Sequence, residues 1–126
     1  MVDINNLTNK KIKIKSREIN FTRCSANVAY CTFDFICNTN LAHEDYTGIA
    51  TAFNLIFIEN VPKMTDDFTD QCRRFISLID MLYDNKCSVV ILAENPISSL
   101  CQITNLSKEF ERTASRLYEM TIIQST

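Results

Sequence analysis

The chain has 126 residues and a formal net charge of −2, and 46% of its residues are apolar against 22% charged, which suits one globular domain and excludes a disordered chain. Gly48 is the only glycine and His43 the only histidine, so a glycine-rich phosphate loop and two-histidine chemistry are excluded. The charge is too small to argue for nucleic acid or an anionic membrane as a general partner. No apolar run reaches the ~18 residues of an integral membrane segment and no signal-peptide stretch opens the chain, so the expected setting is cytoplasmic.

Residues 1–9 are polar and asparagine-rich and read as a flexible N-terminus, with residues 10–126 forming a single α/β domain. Lys11 to Lys15 alternates strictly, the period of a strand with one wet face. A turn at Ser16-Arg17 and renewed alternation over Glu18 to Phe21 predict a β-hairpin. Val28 to Ile36, rich in β-branched and aromatic residues, predicts a third strand. Asn40 is a suitable N-cap for a helix from Leu41, with Tyr46, Ile49, Ala50 and Phe53 on one stripe.

Leu55 to Ile58 is a short continuous apolar run, the mark of a strand buried on both faces. Thr65, followed by Asp66 and Asp67, suits the start of a helix whose apolar face carries Cys72, Phe75, Ile79 and Leu82. Ser88 to Ala93 is a second buried strand, and strand–helix–strand of this kind defines a βαβ unit with a parallel sheet. Ile97 to Leu106 is an undecided connection, and Ser107 is placed to cap a last helix that turns Phe110, Ala114 and Leu117 inward. The fold class is therefore α/β: a hairpin and strand, then a βαβ unit with flanking helices.

The six cysteines, at 24, 31, 37, 72, 87 and 101, include no CxxC pair and read as reduced core residues rather than a zinc site. Glu59, at the end of an apolar strand, matches the magnesium-holding acid of phosphate-loop ATPases, and Asn95 could face a phosphate after the next strand. Both patterns are common at strand ends, and turn chemistry before Pro96 accounts for Asn95 equally well. His43 falls in a first helical turn, where an exposed histidine is ordinary. Arg112 and Arg116 stand four apart and share a helix face, and Arg73 and Arg74 flank an apolar stripe; arginine is the residue best built for phosphate. On spacing alone, surface pairing of Arg112 and Arg116 with Glu109 and Glu119 is the favoured alternative.

Arg73 to Asp84 (RRFISLIDMLYD) and Phe110 to Met120 (FERTASRLYEM) resemble the RRFI-x-LID-x-LYD and F-x-RT-x-SRL-x-EM segments of the ZapE/AFG-type AAA+ ATPases, a family with members in bacterial cell division. Phe33 to Cys37, Leu41 to Tyr46 and Phe57 to Pro62 resemble further motifs of the same family, in the same order. The resemblance is to the family's C-terminal half, a partial phosphate-loop-ATPase-like domain. It implies ATP and magnesium as the family's cofactors, protein partners and oligomers, with the phosphate loop supplied upstream. It leaves Arg112 and Arg116 as candidate phosphate-sensing arginines, and no catalytic or metal-binding residue is assigned. The expectation is a chain that binds no ATP or magnesium alone and complements a separately encoded N-terminal ATPase half, with homo-oligomers possible. The alternative is a non-catalytic protein-interaction module from a split or truncated ATPase gene.

Overall fold

The computed structural model describes residues 7–120, so most of the N-terminal stretch expected to be flexible, residues 1–6, lies outside the described residues. Strand β1 (Thr8–Ile14) takes in Thr8 and Asn9 and pairs antiparallel with β2 (Arg17–Ser25), Ile12 standing opposite Ile19. The turn sits at Lys15-Ser16, one residue earlier than expected, and Lys15 takes a left-handed φ of 55° although it is not glycine. A register shift between Thr8 and Lys10 marks an irregularity in the pairing, and Phe21 and Cys24, an odd number apart, are both buried. A second tight turn, with Ala26 at φ 52°, leads antiparallel into β3 (Val28–Thr32).

The strand expected over Val28 to Ile36 ends at Thr32, and its second half is instead the short helix α1 (Phe33–Cys37). The Thr32 hydroxyl accepts the Phe35 N–H at 3.0 Å, and this cap outweighs the β-favouring composition that follows. Helix α2 (His43–Ala52) starts two residues later than expected, its cap position falling at Ala42 rather than Asn40. The Asp45 carboxylate reaches back to accept the Ala42 N–H at 2.7 Å. Arg17, from the hairpin, donates to Asp45 and to the Asn40 carbonyl, both at 2.8 Å, so Asn40 is occupied by a distant partner.

β4 (Leu55–Val61) runs parallel to β3, and a 3-10 turn (Asp66–Phe68) passes directly into α3 (Thr69–Asp84). Thr65 precedes that turn but makes no side-chain capping bond. β5 (Ser88–Ala93) then lies parallel to β4, as the βαβ pattern predicts. The connection to the last helix holds two 3-10 turns (Ile97–Ser99 and Thr104–Leu106), with Cys101 bridged to Met64 between them. Helix α4 (Ser107–Met120) continues from the second turn, and Ser107 is its first residue, its hydroxyl donating to the Thr104 carbonyl at 3.0 Å.

The five strands lie in the order β1-β2-β3-β4-β5. Both parallel crossovers advance in one direction, and crossovers of one hand then place their helices on one side of the sheet. The helices accordingly form a single layer, α2 and α4 each packing on α3. Phe75 is fully buried in this layer, between Phe33 at 5.9 Å and Phe110 at 6.1 Å between ring centroids. Gly48 is in α2, where a Cβ would lie 2.6 Å from Ile14 Cδ1; the missing side chain lets the helix approach the hairpin.

All six cysteines are free and five are buried, in keeping with their reading as core residues. Burial pushes the thiols of Cys31, Cys72 and Cys87 from the usual 9.0 up to about 12. The Tyr46 phenol, which donates to the Ile36 carbonyl at 2.8 Å, is pushed up by the same cause. A group held protonated in the fold but free to ionise when unfolded contributes stability that is complete below its unfolded pKa. That contribution is lost as pH rises through the folded value. The melting temperature should therefore fall between about pH 9 and pH 12, and Cys31→Ala should flatten the decline relative to its own value at pH 8. Melting curves from pH 8 to 11 check this; a wild-type profile flat to pH 10.5 contradicts it.

Candidate functional site

On the helix-facing side of the sheet, Ala29, Ile56 and Val89 stand in register, and all are buried. The alternate positions form the opposite face, where Tyr30, Phe57 and Val90 stand in register across β3, β4 and β5. Tyr30 and Phe57 stack with centroids 4.4 Å apart and planes 12° off parallel. Val28 and Leu55 continue this apolar strip toward one end, and Leu92, 45% exposed, continues it toward the other. Among the described residues no helix packs on this side. Parallel strands are ordinarily covered on both faces, whereas here Tyr30, Phe57 and Val90 are only half-buried.

The strip ends at the carboxyl ends of β4 and β5, the edge at which open α/β sheets bind ligands. A cleft of about 730 Å³ lies there, lined by residues 59–63 and 92–95. It brings together Glu59 and Asn95, which stand 36 residues apart in the chain. Both Glu59 oxygens are taken by Arg23, whose two terminal nitrogens donate at 2.5 and 3.2 Å. That pairing also raises the Arg23 pKa, the hydrogen bond to Glu59 being the largest cause. Glu59 is thus a partner to a guanidinium rather than a free ligand for a cation.

The arginines separate by role. Arg116 is ion-paired with Asp80 of α3, and its guanidinium lies 5.0 Å over the Tyr83 ring. Tyr83 donates to Glu119 at 3.1 Å, so Glu119, the expected partner of Arg116, is engaged by α3 instead. These four side chains clasp α3 to α4. Arg74 donates to the Cys37 carbonyl at 3.2 Å and ties α3 to the end of α1. Arg112 is exposed on α4, and among the described residues no carboxylate pairs with it. His43 is exposed at the start of α2.

A magnesium triphosphate needs a run of backbone amides and free oxygen ligands. The one glycine lies inside α2 against Ile14, Glu59 is taken by Arg23, and no cluster of three or more His, Cys, Asp or Glu occurs among the described residues. The described residues do not fit that group. No helix among them is long and apolar enough to cross a membrane.

Sheet order, parallel crossovers and a carboxyl-end cleft define a partial α/β domain of the phosphate-loop kind with one face uncovered. Residues 1–125 match the model of the AFG1-like ATPase family, and the chain belongs to that family. A family of ATPases uses nucleotide and magnesium in general. The chain is 34% identical over 117 residues to lactation elevated protein 1 homolog B of Danio rerio, covering 92% of this chain and 23% of that protein. It is also 34% identical over 89 residues to cell division protein ZapE of Escherichia coli K12, covering 71% of this chain and 24% of that one. The chain therefore spans about a quarter of the length of these curated relatives. No solved structure matches it.

Proposed function

We propose that this chain is the C-terminal, phosphate-loop-free α/β portion of a ZapE/AFG-type ATPase, working in the cytoplasm. It takes part in ATP hydrolysis only when packed on a portion that carries the loop. The observation that supports this reading is the uncovered apolar face of the parallel strands, in a family whose curated members are far longer than this chain. The partner surface is apolar and helical, since helices are what cover the faces of such sheets. Arg112 and Arg116 remain the candidate phosphate-sensing residues. Arg112 is the reachable one of the two, because Arg116 is held by Asp80.

Calorimetric titration with Mg-ATP tests the reading directly. The chain alone should give no binding heat. Adding a separately expressed, loop-bearing ATPase portion of a family member should give both a complex and hydrolysis above that portion's own rate. Micromolar ATP binding by the chain alone overturns the proposal. A complex without added hydrolysis leaves the second reading, a non-catalytic interaction module that uses the same face.

A further inference from the structure

Cys72 of α3 is fully buried, and its sulfur lies 3.9 Å from that of Cys101, in hydrogen-bond contact. Cys101, 29 residues beyond Cys72 in the chain, sits on the short segment bridged to Met64 and is only half-buried. A cleft of about 540 Å³ opens onto Cys101 from outside, walled by Phe110, Ala114 and Tyr118 of α4. Tyr118, on the wall of this cleft, is 61% exposed. One thiol of the touching pair is thus reachable and the other is enclosed behind it. Two sulfurs in contact need to close by only about 2 Å to reach bonding distance.

We propose that Cys72 and Cys101 form a reversible disulfide when the protein meets hydrogen peroxide, pinning α3 to the segment that leads into α4. The reachable sulfur of Cys101 attacks the peroxide; its S–O bond forms, the O–O bond breaks, and one water leaves, giving a sulfenic acid. The Cys72 sulfur then attacks the Cys101 sulfur. The S–S bond forms, the S–O bond breaks, and the departing hydroxide takes the Cys72 proton as a second water. Two thiols are oxidised and one hydrogen peroxide is reduced. Burial holds Cys72 as a thiol, its pKa pushed up to about 12, so the reachable Cys101 sulfur meets the oxidant first and Cys72 gives up its proton only as it attacks the sulfenic acid. The link joins elements on either side of β5, so the oxidised form should melt several degrees higher.

Peptide mapping after hydrogen peroxide treatment and thiol blocking decides the matter. The expected product is a single cross-link between the tryptic peptides 64–73 and 87–108, through Cys72 and Cys101, two hydrogens lighter than the reduced pair and reversed by dithiothreitol. In Cys72→Ser the sulfenic acid on Cys101 should persist and be trapped by dimedone. Three outcomes overturn the proposal: Cys101 carried to sulfinic or sulfonic acid while Cys72 stays free, a cross-link through Cys87 instead, or both thiols untouched at peroxide levels that oxidise free cysteine. The wild-type map stands by itself if the serine variant does not fold.

Discussion

Phe75→Ala is expected to destabilise the protein by about 3–5 kcal/mol and to lower its melting temperature by roughly 10–15 °C. The ring is fully buried and touches aromatic side chains from two other elements, Phe33 of α1 and Phe110 of α4. Removing it takes away the transfer free energy of a large side chain and leaves a void that three helices cannot collapse into without losing their other contacts. Domains are stable by only about 5–15 kcal/mol, so this one change removes a large share. Thermal melting by circular dichroism measures it, and a shift below about 3 °C would mean that the core repacks around the vacancy.

Phe57→Asp carries the opposite signature. Phe57 stands in the middle of the uncovered face, and its main side-chain partner is the stacked ring of Tyr30. Losing an aromatic stack costs about 0.5–1.5 kcal/mol beyond the apolar area given up, and Phe57 is only half-buried where a carboxylate can stay hydrated, so the isolated chain should melt several degrees below wild type, well short of the Phe75→Ala loss. Once a partner covers the face, the same carboxylate is buried without a counter-charge, at a cost of about 3–5 kcal/mol. Affinity for the loop-bearing portion should then fall by about two to four orders of magnitude. Binding measured by calorimetry beside the melting curve separates the outcomes. Unchanged affinity dismisses the face as the docking surface, and a melting loss as large as that of Phe75→Ala would mean that the chain already covers it.

Much of this architecture was legible in the residues. The apolar runs Leu55 to Ile58 and Ser88 to Ala93, with an amphipathic stretch between them, could form little other than a parallel βαβ unit, and β4, α3 and β5 lie where the pattern places them. Local composition misled where one hydroxyl decided the outcome. Nothing in Phe33 to Cys37 favours helix over strand until the Thr32 side chain is seen to cap it. Long-range ion pairs were illegible for a different reason. Arg17 finds Asp45 across 28 residues and Arg116 finds Asp80 across 36, whereas spacing rules reach only three or four positions along a helix. The second hairpin was missed because its turn uses Ala26 in a left-handed conformation, where sequence reading looks for glycine.

The candidate surface was visible only where the two levels meet. Strands apolar on both faces fit either two layers or three, and the structure provides a single helical layer. Tyr30, Phe57 and Val90, apolar in sequence and only half-buried in the fold, form the surface offered to a partner.

The hairpin that begins the sheet limits how such a partner can arrive. β1 is the outermost strand, and Lys11 and Lys13 project from it into solvent with Lys15 following at the turn. A strand from another molecule seeking to lengthen the sheet there would meet charged side chains, Lys13 between Lys11 (paired with Glu18) and Lys15 (paired with Glu44), which disfavours end-to-end stacking into fibres. A molecule with one greasy flank is thereby protected against polymerising sideways, and its encounters are directed to the broad side instead.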